Sequence, residues 1–166
     1  MNAIVSVTSD WGIGNEGRLL VRNKDDMRRF VDLTMGGAVL MGRSTFESFP
    51  GGALKGRRNV VLTRQDGYAA EGIETYSQAD EAIAALASED PDRVWLIGGE
   101  TVYHELLPHC TRAYVTKNDV ALPADAFFPN LDEDPHWQIE ETLEGGITKA
   151  GIPFEYVTYR NLRKMS

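Results

Sequence analysis

The chain has 166 residues, 42% of them hydrophobic, and a formal net charge of −8. That length suits one domain, residues 1–166, with a core large enough to fold without staples. The acidic balance argues against nucleic acid and anionic membrane surfaces as partners, and the single cysteine, Cys110, leaves no intrachain disulfide and no thiolate metal cluster.

The start, Met1-Asn2-Ala3-Ile4, runs straight into a strand-like stretch with no signal or bilayer-spanning pattern, so a reducing cytoplasm is the expected compartment. Ala3-Ile4-Val5-Ser6-Val7 reads as a buried first strand. Asp10 to Leu20 carries Gly12, Gly14 and Gly17 and is expected to be a loop, too glycine-rich for a stable helix. From about Asp25 the pattern turns helical, with Met27, Phe30, Val31 and Met35 at helical spacing, Asn23 available as N-cap and Gly36-Gly37 as a stop. Val39-Leu40-Met41 and Asn59 to Thr63 read as strands. Ser77 is the expected N-cap of a helix that puts Ala79, Ala82, Ile83 and Leu86 on one face. A strand at Val94–Ile97 leads into a short helix reaching about Leu107, and Pro108 ends it. Ala113–Thr116, Trp137–Thr142 and Phe154–Tyr159 read as strands joined by loops. Strands alternating with helices, then a strand-rich end, imply an α/β fold built on a mostly parallel sheet with an antiparallel C-terminal edge.

Two apolar runs end in glycine and open into helix-like segments: Ala38-Val39-Leu40-Met41-Gly42-Arg43-Ser44-Thr45 and Val94-Trp95-Leu96-Ile97-Gly98-Gly99-Glu100-Thr101-Val102-Tyr103. Such turns let backbone N–H groups approach a phosphate. Two of them suggest a dinucleotide across the strand ends, although glycine at these positions also simply permits close helix–strand packing. Asp26 lies four residues before Phe30 on the first helix, beside its apolar stripe; partial desolvation there raises a carboxyl pKa and suits it to proton transfer. The competing reading is an ordinary acid in a helix's first turn. Arg43 and Arg64 each follow a predicted strand, with Ser44 and Thr63 nearby, which makes a plausible pocket for a phosphate monoester such as the 2′-phosphate of NADPH. Two solvated arginines are the alternative. Lys55, Arg57 and Arg58 form a basic patch that fits either a carboxylate site or a charged turn. His104, His109 and His136 show no metal spacing and read as surface residues, Trp95 as core and Cys110 as a packed thiol; no metal site is expected.

In this order and at these intervals, several pieces resemble dihydrofolate reductase from Ile4 to about Tyr159. They are Gly12-Ile13-Gly14, Asp26 with Phe30, Met41-Gly42-Arg43-Ser44-Thr45-Phe46-Glu47-Ser48, Leu54-Lys55-Gly56-Arg57-Arg58-Asn59, Ile97-Gly98-Gly99 with Val102-Tyr103, Thr116, and Asp125 with Phe128-Pro129. The resemblance implies a central, mostly parallel sheet of about eight strands with helices on both faces. It implies NADPH as cofactor and hydride transfer from nicotinamide C4 to pterin C6, with Asp26 promoting protonation of N5. It makes Asp26 and Tyr103 the catalytic pair. Thr116 would help hold the carboxylate, and Ile4 and Ile97 would offer backbone carbonyls to the pterin. Val5, Leu19, Val21, Met27, Phe30, Phe49 and Leu54 would complete the substrate pocket, and Arg57 would pair with the glutamate tail. The cofactor would lie against Ser6, Ile13, Gly14, Leu19, Gly42, Thr45, Leu62, Ile97, Gly98, Gly99, Glu100, Thr101, Val102 and Tyr103. Arg43, Ser44, Thr63 and Arg64 would hold its 2′-phosphate, and Gly98-Gly99 would be joined by a cis peptide.

The chain departs from the family pattern at four positions. Leu20 and Val21 stand where Pro-Trp is common, and Lys24 replaces a common proline; Glu100 puts an acid beside the expected pyrophosphate. The implied partners are dihydrofolate and folate analogues, on a protein expected to be a monomer. Two rivals share features of this pattern: a pyrimidine reductase of riboflavin synthesis, which does not need an acid at position 26, and a nucleotide-binding module that has lost catalysis.

Overall fold

An apolar run with no polar alternation is stable only where both faces of the strand are covered. The first strand, β1 (Asn2–Val7), meets that condition, with Ala3, Ile4, Val5 and Val7 all buried in a computed structural model that describes residues 1–164. The remaining elements in order are β2 (Gly12–Asn15), β3 (Arg18–Leu19), α1 (Lys24–Thr34), β4 (Ala38–Gly42), α2 (Arg43–Glu47), β5 (Arg58–Leu62), β6 (Ile73–Tyr76), α3 (Ala79–Ala85), β7 (Val94–Gly98), α4 (Glu100–Leu106), β8 (Arg112–Asn118), β9 (Ala126–Phe127), β10 (Trp137–Ile147) and β11 (Pro153–Asn161).

Eight strands form one sheet in the order β10-β11-β8-β1-β7-β4-β5-β6. The six from β8 to β6 are parallel; β11 runs antiparallel to β8, and β10 antiparallel to β11. Alternating side chains feed two apolar layers. Leu40, Val60 and Leu96 join Ala82 of α3 and Leu106 of α4 on one face. Ile4, Val39, Met41, Val61 and Trp95 join Phe46 of α2 on the other, with Phe30 and Leu33 of α1 packed against them. Helices therefore cover both faces, as the α/β reading requires.

The structure differs from the sequence expectation in four places. The segment from Asp10 to Leu20 is not a simple loop: Glu16 (φ 52°) and Gly17 (φ 77°) form a two-residue turn that closes β2 onto β3, and β2 also pairs with β9. Glycine richness rules out a helix there but favours a tight hairpin turn with positive φ. Ser77 is not the cap of α3; Gln78 occupies that place without a side-chain cap bond, and the Ser77 hydroxyl lies 3.3 Å from the Glu81 carboxylate. β6 has no strong apolar run, because Glu74 on it is engaged by Arg58 of β5 at 2.6 Å. On α1 the predicted stripe is only partly covered, with Met27 53% and Met35 43% exposed while Phe30 packs on the sheet.

Candidate active site

Asn23 caps α1 by accepting the Asp26 N–H at 3.1 Å, which fixes the first turn of the helix. The Asp26 side chain, half-buried, reaches across to β8, where the Thr116 hydroxyl donates to its Oδ1 at 2.5 Å. Burial pushes the Asp26 carboxyl above its ordinary range, against the opposing pull of Thr116 and of Arg29 one turn along. From α4 the buried Tyr103 hydroxyl donates to the Ile4 carbonyl at 2.6 Å. Burial also drives the Tyr103 phenol well above the usual tyrosine range, and the nearby Asp26 charge adds to the shift. Four separate elements thus bring Asp26, Thr116, Tyr103 and Ile4 together, and Ser6 lies in register opposite Thr116.

Beside this group the two glycine turns meet, because Met41 of β4 pairs with Gly98 of β7. The Gly98–Gly99 peptide bond is cis, and Gly98 has φ +125°. A Cβ on Gly42 would lie 3.0 Å from Val102 Cγ2, and one on Gly98 would lie 3.3 Å from the Tyr103 ring. The Thr45 hydroxyl closes the third side, 3.3 Å from where a Gly99 Cβ would stand. The first bonded amide of α4 is that of Tyr103, to Gly99 O at 2.9 Å, so the amides of Glu100, Thr101 and Val102 have no partner within the helix. This glycine-lined cradle fits the pyrophosphate of a dinucleotide. Glu100 does not oppose it: the carboxylate turns away to accept the Phe127 N–H of β9 at 2.6 Å.

β4 and β5 are neighbours, with Gly42 opposite Leu62, so Arg43 and Thr63 emerge side by side as expected. Arg43, Ser44 and Arg64 are exposed. Arg43 donates to Gln65 Oε1 at 2.8 Å and lies 5.9 Å from the Tyr68 ring, while Thr63 Oγ1 accepts the Gln65 N–H at 3.2 Å. Gln65 and Tyr68, which the sequence reading missed, line a groove of about 240 Å³ with Thr63 and Tyr76. Their place directly after Arg64 is the signal that could have found them.

The basic patch divides by function. Arg57 donates to Thr34 Oγ1 on α1 at 3.1 Å and to Lys55 O at 3.0 Å, and burial lowers its pKa only from a very high starting point, so it stays charged. Among the described residues its Nη2 has no partner. Arg58 instead ties β5 to Glu74 and Glu89 at 2.6 and 3.2 Å. Buried Asn59, a polar residue in an apolar strand, bonds Leu54 and Arg57 through their backbones and so shapes the loop that carries Arg57.

The remaining substrate candidates differ in burial. Val5 is buried; Val21, Phe30, Phe49, Leu54 and Ile97 are half-buried; Met27 and Leu19 are exposed. Ile13 and Gly14 sit on β2, which Asp125 holds by accepting the Glu16 N–H at 2.9 Å and donating its own N–H to Gly14 O at 3.0 Å. The Val21 side chain offers no donor. A separate cavity of about 750 Å³, lined by Trp11, Lys117, Asp132 and Phe154, contains none of these candidates.

The family model for dihydrofolate reductase matches residues 1–161. Dihydrofolate reductase from Mycobacterium leprae is 43% identical over 152 residues, covering 89% of each chain. That from Neisseria gonorrhoeae is 36% identical over 135 residues, 81% of this chain and 82% of the relative. A solved dihydrofolate reductase from Enterococcus faecalis, complexed with NADP(H) and RAB-propyl, superposes with a TM-score of 0.86 at 30% identity, over 96% of this chain and 95% of that one. Sheet order, glycine turns and near end-to-end similarity agree, and the chain belongs to the dihydrofolate reductase family.

Proposed function

We propose that this chain reduces 7,8-dihydrofolate to 5,6,7,8-tetrahydrofolate with NADPH, adding hydride at C6 and a proton at N5. The observation that carries this reading is the Asp26 carboxylate, raised in proton affinity by burial and gripped by Thr116, beside the paired glycine turns. NADPH, when bound, supplies the hydride from C4 of its nicotinamide. Asp26 orients the pterin and promotes protonation at N5, with Thr116 fixing the carboxylate. Ile4 and Ile97 present backbone carbonyls to the ring, and Tyr103 lies over the reacting centre. Val5, Leu19, Val21, Met27, Phe30, Phe49 and Leu54 wall the substrate, and Arg57 takes the glutamate tail through its free Nη2.

Gly42, Thr45, Gly98, Gly99 and the first amides of α4, those of Glu100, Thr101 and Val102, hold the cofactor pyrophosphate. Arg43, Ser44, Thr63 and Arg64 hold the 2′-phosphate, with Leu62 beside them. Ser6, Ile13 and Gly14 border the nicotinamide. The protein acts as a monomer on free small molecules. Neither a pyrimidine substrate nor a purely binding role calls for a buried acid at position 26. The test is loss of NADPH absorbance on addition of dihydrofolate. Tight NADPH binding without that loss would mean that reduction has been abandoned, and loss only with a ribosylated pyrimidine would name the other reductase.

A further inference from the structure

Two residues beyond Thr116 on β8 is Asn118, only 1% exposed. Alternation along the strand places both side chains on the same side of the sheet. Its amide nitrogen donates to Ser6 Oγ at 2.9 Å and to Val7 O at 3.0 Å, which spends both protons on β1. Its amide oxygen faces Asn23 Nδ2 at 3.5 Å. Asn23, also buried, turns its own oxygen to the Asp26 N–H. β8 therefore grips the first turn of α1 twice: Thr116 holds the Asp26 carboxylate, and Asn118, through Asn23, holds the Asp26 backbone. A buried amide pair has few other partners, so losing one member leaves the other unsatisfied and free to move.

We propose that Asn118 and Asn23 are positioning residues, a buried amide relay that sets the Asp26 carboxylate against the pterin site and ties it to Ser6 on the nicotinamide side. Neither touches the reacting atoms. Sub-ångström displacement of the first turn of α1 lengthens the Thr116–Asp26 bond and misaligns the acid, an error that geometry-dependent chemistry amplifies. The inference rests on the proposed role of Asp26.

The experiment measures single-turnover hydride transfer against pH in Asn118→Leu, Asn23→Ser and the double variant, each with thermal unfolding, and with Asp26→Asn as reference. The groups facing Asp26 are Arg29 on its own helix, Tyr103 on α4 and Tyr156 on β11, and none is altered. Serine keeps the helix cap but cannot reach Asn118. Each single variant is expected to lose about tenfold in rate at neutral pH. The apparent pKa of the step should move upward, because a weakened Thr116 bond no longer offsets burial. The double variant should be no slower than Asn118→Leu alone. An unchanged pH profile with only a lower melting temperature would overturn the relay, as would additive losses. If Asn118→Leu does not fold, Asn23→Ser decides alone: an unmoved profile overturns the proposal. A fast Asp26→Asn would instead remove the reading of Asp26 itself, whereas a slow Asp26→Asn beside normal asparagine variants would remove only the relay.

Discussion

At Asp26 burial and hydrogen bonding pull in opposite directions, and burial dominates. Asp26→Asn should therefore keep NADPH binding but lower the rate with dihydrofolate by about a hundredfold or more at neutral pH. Partial recovery is expected in acid, where solvent supplies the proton; stopped-flow rates at several pH values check both. Arg43 and Arg64 are exposed, so the hold on a 2′-phosphate proposed for them would be screened, and each alanine variant should weaken NADPH by about tenfold while leaving NADH nearly unchanged. Equal losses for the two cofactors, measured by fluorescence titration, would remove the assignment. Arg57→Ala should raise the KM for dihydrofolate and weaken methotrexate, which shares its carboxylate tail, but spare trimethoprim, which has none. Parallel losses for the two inhibitors would mean that the Arg57–Thr34 bond matters only for the fold. The sequence singled out all of these residues as candidates by type and place. It assigned no part to Gln65, Asn59 or Asn118, because a polar side chain one or two positions from a candidate leaves no pattern of its own.

Among the elements, the hairpin of β2 and β3 was the least legible. Its glycines announce what the segment is not, while its pairing depends on β9, more than a hundred residues later. Glu100 shows the same limit from the other side: the sequence placed an acid near an anion, and only the position of β9 tells where the carboxylate goes. Glu100→Ala should leave the Phe127 N–H without its partner and loosen β9 and, through it, β2. Faster amide exchange at Gly12–Asn15, with the sheet amides of β1 unchanged, is the expected result. Unchanged exchange at β2 would mean that Asp125 alone holds the hairpin. The long parallel strands, by contrast, were readable to within a residue or two, since burial on both faces leaves an unbroken apolar run.

For the molecule as a whole, the acid carries a stability cost. A carboxyl whose pKa is raised by folding binds its proton more tightly in the folded chain. Its contribution is greatest below the unfolded value of 3.8 and declines as pH rises through the window above it. Glu74, Asp132 and Glu140 behave oppositely: Arg58, Lys117 and Arg112 hold them charged, and their contribution is lost as pH falls. Asp26→Asn should therefore melt higher than the parent at neutral pH, with the difference vanishing as the pH drops below about 3.8. Calorimetry across that range checks the sign; a variant that melts lower at neutral pH would show that the Thr116 bond outweighs burial.

The central place of β1 also governs how the chain is made. Its partners are β7 and β8, with Asn2 opposite both Trp95 and Arg112. On the ribosome, Ala3 to Val7 emerge long before β7 and β8 and wait, unpaired and apolar, until those strands have been made. Such long-range pairing is slow and leaves a bare strand exposed to other nascent chains. A strand made well before both of its partners is thus among the last to find its neighbours.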